Sequence, residues 1–415
     1  MNGCVLIVGT GCGGVETAFA MRANGWQGPI VLIGEEKEIP YHRPPLSKAY
    51  LAGDVSPESL YLKSPALFEK QGIVLRLGVK ALSINREDRL LALSSGESIK
   101  YDYVVLATGG QPRQISFDDG LPYPTNILQL RDKLSSERIA NQISNKSRLA
   151  IIGGGYIGLE VAATARKFGC EVTLIEAANR VLERVTAPVV SEFYQNRHSS
   201  EGVNLLLGTT VRRFIRDGSG QIVRSIECDN GMSVDVDAIV VGIGLIPSIE
   251  LAAESGLDCG NGILVNEELR TSDPRIFAIG DCVNFPSSVY GGRRVRIESV
   301  PNALEHARKV SAVICSKVPR PDAAPWFWSD QYNLSLKMVG LSTGYDSVVV
   351  RGEISASNFS VLYLLEGRVI AVDTVNRASD FIAAKKMVGS SRVYSVAELQ
   401  DESFSLKELA ESTGS

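Results

Sequence analysis

The sequence contains few of the residues that commonly build metal centres and thiol-based sites. Its 415 residues include three histidines, at positions 42, 198 and 306, and seven cysteines that occur singly, without a Cys-x-x-Cys pair. Zinc sites and disulfide frameworks need closely spaced ligands or paired thiols, so the pattern argues against both. We expect the histidines to be packing or surface residues rather than catalytic bases.

Strong net charge and long apolar runs are missing as well. The formal net charge is −4 and the pI is near 5.7, so no global field attracts nucleic acid or an anionic membrane. No apolar run approaches the roughly 20 residues that span a bilayer, and no basic region precedes the first apolar segment. The sequence therefore predicts a cytoplasmic globular protein, with about two or three domains at this length.

One pattern occurs twice, 144 residues apart. In the first copy an apolar strand, 4–8, leads into a glycine-rich turn, a helical pattern to Asn24, and a second apolar strand, 30–33, followed by Glu35. The turn glycines of this copy are Gly9, Gly11, Gly13 and Gly14. The copy therefore reads as strand, turn, helix and strand with an acid after it.

The second copy has the same layout. Strand 149–152 leads into a turn, a helical pattern to Phe168, and strand 172–175, which Glu176 follows. The turn glycines here are Gly153, Gly155 and Gly158. Two such units indicate two Rossmann-like domains.

Glycines with this spacing are a weak motif alone, but a preceding strand, a following helix and an acid about 20 residues on are typical of a dinucleotide site. The turn lets the backbone approach a pyrophosphate, and the helix N-terminus offers free N–H groups to it. The acids, Glu35 and Glu176, would accept hydrogen bonds from a ribose hydroxyl. A carboxylate at Glu176 also repels a 2′-phosphate, which favours NADH over NADPH, although Arg180 nearby weakens that inference.

Two dinucleotides in one chain suggest a flavin and a nicotinamide nucleotide. The apolar run 276–279 ends at Asp281, which could bind the ribityl chain of FAD or lie in a simple strand-end turn. Ser299 is a candidate N-cap, with Pro301 in the first turn of a helix that could direct its N-terminus at a flavin ring.

Beyond Asp322 the glycine-turn pattern ends. Strand-like runs follow at 335–339, 347–350 and 360–365, and the tail 396–409 reads as helical. We expect a C-terminal α+β domain here.

Five longer strings resemble one family over essentially the whole chain, the bacterial ferredoxin reductases of the glutathione-reductase fold. They are Arg43–Lys48, Gly153–Glu160, Val181–Pro188, Arg296–Leu304 and Pro325–Gln331. The resemblance implies an FAD domain (1–113 and 248–322), an NAD domain (114–247) and a C-terminal α+β domain (323–415). It also implies NADH as donor and a two-iron two-sulfur ferredoxin as acceptor, which supplies a monooxygenase or dioxygenase.

The resemblance also assigns individual residues. The FAD contacts that it implies are Gly13, Glu35, Lys48, Ala81, Arg131, Asp281 and Val300. Lys48 and Glu160 are expected to pair near flavin N5 and to hold the nicotinamide as hydride arrives; the alternative is an ordinary structural ion pair. Trp328 could line the flavin edge or simply pack in a core. Lys63, Arg308, Lys309 and Lys337 are candidates for docking an acidic ferredoxin.

The chain departs from the disulfide reductases and peroxidases of this fold at the helix where they place reactive cysteines. Leu46 and Ser47 stand there, so thiol chemistry lacks its central group. Three alternatives remain open: a flavin NADH oxidase or peroxidase, a monodehydroascorbate-type reductase, and a redox-sensitive flavoprotein that acts as a binding module.

Overall fold

The computed structural model describes residues 3–117, 120–143 and 147–411. Its contacts divide the chain into two compact units. The first unit comprises Met1–His42, Pro57–Gln111 and Ile246–Phe327, and the second comprises Arg43–Ser56, Pro112–Leu245 and Trp328–Ser415. The three-domain boundaries expected from the resemblance stay predictions.

Helices and strands are interspersed through the first three quarters of the chain, and a strand-rich segment follows. Up to residue 112 they are β1 (Val5–Val8), α1 (Cys12–Ala23), β2 (Ile30–Gly34), α2 (Pro65–Lys70), β3 (Ile73–Leu77), β4 (Ala81–Asn85), β5 (Leu90–Leu93), β6 (Ser98–Lys100), β7 (Tyr103–Leu106) and β8 (Gly110–Pro112). Up to residue 247 they are β9 (Ile127–Gln129), α3 (Lys133–Ile143), β10 (Arg148–Ile152), α4 (Tyr156–Lys167), β11 (Glu171–Ile175), α5 (Pro188–Ser200), β12 (Val203–Leu206), β13 (Val211–Arg216), β14 (Val223–Cys228), β15 (Ser233–Asp235), β16 (Ala238–Val241) and β17 (Leu245–Pro247). Up to residue 314 they are α6 (Glu250–Glu254), β18 (Cys259–Gly260), β19 (Gly262–Leu264), β20 (Ile276–Ala278), β21 (Val283–Pro286), β22 (Arg294–Val295) and α7 (Val300–Ile314). The remainder are β23 (Trp326–Gln331), β24 (Leu334–Gly340), β25 (Ser347–Glu353), β26 (Asn358–Leu365), β27 (Arg368–Val375), α8 (Ala378–Met387), α9 (Val396–Gln400) and α10 (Leu406–Glu411), and short 3₁₀ turns lie at Pro44–Ser47, Pro57–Leu60, Gly280–Cys282 and Ser288–Tyr290.

Each unit contains a five-stranded parallel sheet, and the two sheets are built alike. The order is β20-β7-β1-β2-β3 in the first unit and β12-β11-β10-β16-β9 in the second. In each sheet the strand before the glycine turn, β1 or β10, lies at the centre. It pairs with the strand that the acid follows, β2 or β11. Strand β1 is wholly buried and β10 is buried from Leu149 to Ile152, as expected for parallel sheets covered on both faces. The predicted pair of Rossmann-like folds is confirmed.

The segment after Pro325 forms the predicted α+β region. Strands β23, β24, β27, β26 and β25 make a sheet in that order, with β25, β26 and β27 joined as antiparallel neighbours. Strand β26 is buried at six successive positions, so both of its faces are covered.

The tail differs from the single helical segment expected at 396–409. Two short helices, α9 and α10, are separated by a loop in which Asp401 accepts from the backbone N–H of Ser403 and Ser405 exchanges hydrogen bonds with Glu408 as a capping box. The buried Arg351 guanidinium binds the carbonyl oxygens of Leu399, Asp401 and Phe404. These side chains bind backbone groups that a continued helix would have paired internally, so the chain can leave the helix here.

The interior of the second unit holds a carboxyl group with an unusual pKa. Asp373 is buried on β27, and burial raises its pKa from 3.8 to about 7, although the hydrogen bond that Tyr363 donates to it at 2.5 Å opposes that shift. Between these two pH values the folded protein binds a proton that the unfolded chain has released. Stability should therefore fall as pH rises from about 4 to about 7 and level off above.

We expect Asp373→Asn to remove this loss. As pH rises from about 5 to about 8, the free energy of unfolding of the variant should increase by up to about 3 kcal/mol relative to that of the parent, since a tenfold change in proton affinity corresponds to about 1.4 kcal/mol. Urea-unfolding midpoints at the two pH values measure the gain. Asp346→Asn is the control, because hydrogen bonds from the Glu366 N–H and the Ser347 hydroxyl lower the pKa of that exposed carboxyl, so its contribution is constant above about pH 5. Equal gains for both variants would contradict the assignment.

Candidate functional site

The first glycine turn joins β1 to α1. Gly9 has a φ of +119°, and a Cβ on Gly14 would stand 1.9 Å from the Gly9 carbonyl oxygen, so neither position accommodates a side chain without a backbone shift. Gly11 is different. Beyond its immediate neighbours, no heavy atom of the described chain lies within 4 Å of where its Cβ would stand. The turn is tight on its inner side and open at Gly11.

The second turn, between β10 and α4, repeats this geometry. Gly153 has a φ of +110°, and a Cβ on Gly158 would stand 2.1 Å from the Gly153 carbonyl oxygen. In the part of the chain that the structure describes, nothing outside the turn lies within 4 Å of a Cβ on Gly155. In both turns the first and last glycines allow close packing, and the middle glycine leaves room for a ligand at a helix N-terminus. The residues fit a pyrophosphate in each unit.

Other predicted flavin contacts of the first unit lie near the same end of its sheet. Glu35 directly follows β2 and is 69% exposed, with the Lys80 ammonium 4.0 Å away. Asp281 lies in the 3₁₀ turn after β20. A Cβ on Gly13 would stand 3.2 Å from the Ile279 side chain and 3.5 Å from Ala303, so the starts of α1 and α7 lie side by side.

Helix α7 begins as expected. The Ser299 hydroxyl accepts from the Asn302 N–H at 3.2 Å, Pro301 is in the first turn, and Val300 is the first helical residue. Its N-terminus is therefore near Gly13 and can direct its free N–H groups at a ligand of this unit. Ala81 is the first residue of β4.

The remaining predicted FAD contacts, Lys48, Arg131 and Trp328, belong to the second unit. Arg131 lies before α3, and its carbonyl oxygen accepts from the Arg43 guanidinium at 2.6 Å. Trp328 lies on β23 and is half-buried. Its alternative roles, flavin edge or core packing, stay predictions.

The acid of the second unit is built into its glycine turn. The Glu176 carboxylate accepts from the Gly154 N–H at 2.5 Å and from the Ala178 N–H at 2.8 Å. These two bonds fix the carboxylate beside the turn and leave acceptor capacity for a ribose hydroxyl. Arg180 is the nearby cation that could have favoured a 2′-phosphate. Its guanidinium donates to the Thr186 carbonyl at 2.8 Å and to the Ser191 hydroxyl at 2.7 Å.

Replacing Glu176 by Ala should therefore relax the preference for NADH over NADPH. A lost hydrogen bond to a charged group is worth about 1.5–3 kcal/mol, so the ratio of kcat/KM values should fall at least about 10-fold. Steady-state kinetics with both nucleotides measure the ratio. Glu171→Ala removes an exposed carboxylate from the other end of β11 and should leave it unchanged. An unaltered ratio in Glu176→Ala would contradict the role of this carboxylate.

Lys48 and Glu160 form the predicted pair. The Lys48 ammonium lies 2.7 Å from Glu160 Oε2, and the two side chains are 20% and 4% exposed. Ser47 donates to the same oxygen at 2.5 Å, and Ser329 donates to Oε1 at 2.6 Å. A buried carboxylate is thus neutralised by one ammonium and held by two hydroxyls, which fixes its orientation.

Sequence reasoning missed these hydroxyl partners. In the sequence, Ser47 stands in the place of a cysteine and Ser329 lies within Pro325–Gln331, and neither position indicates a carboxylate partner. Behind Ser329 lie Gln331 and His198, both buried. Burial lowers the pKa of His198 to about 4, and the opposing hydrogen bond to Gln331 is weaker, so the imidazole is neutral. The alternation of Ser329 and Gln331 along one strand was the available indication of a common face.

The four candidate docking residues differ in how far neighbouring groups already compensate their charge. Arg308 pairs with Glu16 at 2.7 Å and with Glu305 at 3.3 Å, and the Lys309 ammonium lies 2.6 Å from Asp322. The Lys63 ammonium lies 5.4 Å from the centre of the Phe19 ring. In the second unit, Lys337 lies over the Phe381 ring at 5.2 Å. Much of this positive charge is therefore already compensated or shared with a ring.

Metal and membrane features are absent from the parts of the chain that the structure describes. In those ranges no group of three or more His, Cys, Asp or Glu side chains is arranged to hold a metal ion. No helix there combines the length and the apolar character required for crossing a bilayer.

Two separate dinucleotide turns, each with a carboxylate beside it, define a flavoprotein oxidoreductase that uses a pyridine nucleotide. Residues 4–307 match the model of the pyridine nucleotide-disulphide oxidoreductase family, and residues 326–410 match the reductase C-terminal family. The chain belongs to the pyridine nucleotide-disulphide oxidoreductase family, and its cofactors are FAD and NAD(H).

Individual relatives cover nearly the whole chain. Putidaredoxin reductase CamA of Pseudomonas putida is 51% identical over 98% of this chain and 97% of its own. The crystal structure of the covalent putidaredoxin reductase–putidaredoxin complex superimposes with a TM-score of 0.93 at 50% identity, covering 98% of each chain. The ferredoxin reductase for the CYP199A2 system of Rhodopseudomonas palustris gives 0.92 at 39% identity, over 99% of this chain and 100% of the other. The resemblance to ferredoxin reductases is confirmed.

Proposed function

We propose that this protein is an FAD-dependent NADH:ferredoxin oxidoreductase that serves a monooxygenase or dioxygenase. In the overall reaction one NADH becomes NAD⁺ and a proton, while two molecules of a two-iron two-sulfur ferredoxin each gain one electron. When bound, FAD supplies the conversion from a two-electron donor to one-electron acceptors. The observation that carries the proposal is the pair of equivalent open glycine turns in a chain that is similar throughout to a reductase crystallised with its ferredoxin.

The residues of the second unit support NADH as the donor. The turn Gly153–Gly158 offers backbone N–H groups to the pyrophosphate, and the fixed Glu176 carboxylate accepts from the ribose hydroxyls. Glu176 would repel a 2′-phosphate, and the Arg180 guanidinium, held by backbone and hydroxyl oxygens, is not directed to neutralise one. The two features together favour NADH.

The Lys48–Glu160 pair is proposed to act during hydride transfer. Lys48 is 20% exposed, so its ammonium can reach a ligand, whereas Glu160 is buried beneath it. The carboxylate fixes the position of the ammonium, and the ammonium holds the carboxamide of the nicotinamide. A fixed charge of this kind lowers the barrier because it does not reorganise as the reaction proceeds.

The position of Ser47 supports direct exit of electrons to a protein partner. A reactive cysteine in segment 43–48 would allow disulfide or peroxide chemistry, but Leu46 and Ser47 stand there. The Ser47 hydroxyl donates a hydrogen bond to the Glu160 carboxylate. None of the seven cysteines forms a disulfide. Burial raises the pKa of the Cys170, Cys228, Cys282 and Cys315 thiols, which keeps them unreactive. Reduced thiols fit a cytoplasmic location, where the ferredoxin would also be found.

Docking of an acidic ferredoxin is proposed to use Lys63, Arg308, Lys309 and Lys337, with Lys63 and Lys337 contributing most. Arg308 and Lys309 already face carboxylates, so their removal should weaken docking less. A transient redox complex of this kind is expected to be weak and sensitive to salt.

The test begins with an anaerobic titration of the purified flavoprotein with NADH, followed by cytochrome c reduction with and without a two-iron ferredoxin. We expect NADH to bleach the flavin and cytochrome c reduction to depend on the ferredoxin. Bleaching without any effect of putidaredoxin or of other two-iron ferredoxins would leave the NADH site in place and reject the proposed acceptor. Absence of bleaching would reject the donor.

A further inference from the structure

The Ser329 hydroxyl, which donates to Glu160 Oε1, belongs to a longer series of hydrogen bonds in the second unit. Ser329 and Gln331 lie on β23, His198 lies on α5, and Tyr332 begins the turn to β24. Ser329, Gln331 and His198 are each 1% exposed or less. Water has little access to them, so their polar atoms depend on one another.

The hydrogen bonds of this series all run in one direction, from donor to acceptor toward Glu160. The Gln331 amide donates to the Ser329 hydroxyl oxygen at 3.1 Å, which commits the Ser329 proton to Glu160 Oε1 at 2.6 Å. The carbonyl oxygen of the Gln331 amide lies 2.9 Å from His198 Nε2 and can only accept, so Nε2 carries the proton of the neutral imidazole. Nδ1 then accepts from the Tyr332 hydroxyl at 3.1 Å.

Every donor in this series therefore points toward the Glu160 carboxylate. Successive bonds of one direction polarise each other, and their combined effect is to stabilise negative charge at the accepting end. The neutral state of His198, which its burial enforces, is required, because a doubly protonated imidazole would have no acceptor for Tyr332.

The backbone conformation at Tyr332 is unusual and directs its hydroxyl toward His198. Tyr332 has a φ of +55°, in the left-handed region that bulky residues rarely adopt, within the two-residue turn between β23 and β24. Asn or Gly would fit such a turn better. Arg197 stabilises the turn, with its guanidinium 5.1 Å from the Tyr332 ring centre and 3.1 Å from the Asn333 amide oxygen. The strained position places the hydroxyl on His198.

We propose that Ser329 is a positioning residue for the reaction: at the end of a directional chain from Tyr332, it fixes the Glu160 carboxylate in the orientation that holds Lys48. The inference rests on the proposed role of the Lys48–Glu160 pair in hydride transfer. It assigns the C-terminal hairpin, which contributes no dinucleotide turn, a part in that step. Lys48 and Ser47 secure Oε2, and Ser329 secures Oε1, so loss of Ser329 frees the carboxylate to rotate about its last bond.

The experiment compares Ser329→Ala with Ser329→Thr, which retains the hydroxyl, and with Ser360→Ala. Ser360 is a matched control: it is equally buried in the same sheet, and it donates to a buried carboxylate, Asp380, at 2.8 Å. Anaerobic stopped-flow mixing of each holoprotein with NADH gives the limiting rate of flavin reduction and the half-saturating NADH concentration. Thermal midpoints of the same variants, alone and combined with Glu160→Gln, give a readout that does not depend on turnover.

We expect Ser329→Ala to lower the limiting rate about 10-fold with little change in half-saturating NADH, since one hydrogen bond to a charged group is lost. Ser329→Thr should recover most of the rate. Ser360→Ala should lower the thermal midpoint by a similar amount and leave the rate unchanged. In the Glu160→Gln background, Ser329→Ala should cause a smaller further shift of the midpoint than it causes alone, because the bond it removes is already altered.

A parent-like rate in Ser329→Ala, together with a slow Glu160→Gln, would overturn the positioning role and leave the function of the pair intact. Equal loss of rate in Ser329→Ala and Ser360→Ala would also overturn it, as a general effect of loosened packing. A parent-like rate in Glu160→Gln would reject both the inference and the proposed role of the pair. Ferredoxin-dependent cytochrome c reduction, measured alongside, would still report separately on the overall function.

Discussion

Gly155→Ala is expected to eliminate tight NADH binding while the protein keeps its flavin. Gly155 has φ −82° and ψ −177°, a conformation open to alanine, and the described chain leaves free space at its Cβ position. The methyl group would meet no protein atom but would stand where a pyrophosphate must approach the backbone. With about two charge-assisted hydrogen bonds weakened, affinity should fall by about 100-fold or more.

Gly11→Ala is the mirror experiment in the first unit. Gly11 has φ −70° and ψ 179° and the same open surroundings, so this variant should fold yet lose FAD on gel filtration. Flavin absorbance per chain and calorimetric titration with NADH measure the two affinities. Gly218→Ala, an equally open glycine away from both turns, should change neither. If Gly155→Ala bound NADH like the parent, the pyrophosphate would not approach this turn.

Lys48→Met should destabilise the protein strongly, by about 3–5 kcal/mol, because it leaves the Glu160 carboxylate buried without its counter-charge. Adding Glu160→Gln should restore most of that stability, since the amide can still interact with Ser47 and Ser329 without carrying a charge. Urea unfolding of the single and double variants measures the recovery. The matched control is Arg213→Met, whose partner Glu227 stays accessible to water, and its cost should be far smaller than that of Lys48→Met.

The same variants separate chemistry from structure. If the pair holds the nicotinamide during hydride transfer, the double variant should regain stability but reduce its flavin about 100-fold more slowly than the parent, as when a preorganised charge is removed from a transition state. Recovery of both stability and rate would show the pair to be a structural ion pair only. Anaerobic stopped-flow reduction by NADH distinguishes the two results.

The sequence predicted the architecture well where local patterns are decisive. Apolar runs bounded by glycine turns located the central strands of both sheets to within a residue, because buried parallel strands need continuous apolar side chains. Ser299 was recognisable as a helix cap because its side chain acts on its own neighbours. The tail was less well predicted, since the interruption at Asp401 depends on Arg351, which is distant in sequence.

The candidate site was predictable only in part for the same reason. The Lys48–Glu160 pair came from resemblance, not from any periodicity that joins residues 112 positions apart. The partners of Glu160 on β23 are farther still: Ser329 is 169 positions away, and its polarity depends on Gln331, His198 and Tyr332 together. No local motif encodes a hydrogen-bond chain that runs through two elements and a turn.

The interleaved segments of the two units have a consequence for biosynthesis. The parallel sheet of the second unit is complete once β16 has been translated, at Val241. The sheet of the first unit contains the N-terminal strand, but its edge strand β20 is not complete until Ala278. The second nucleotide-binding sheet can thus assemble on the ribosome while the first still exposes the side of β7. Flavin capture should therefore be a late event in synthesis, and chains truncated before Asp281 should bind NADH more readily than FAD.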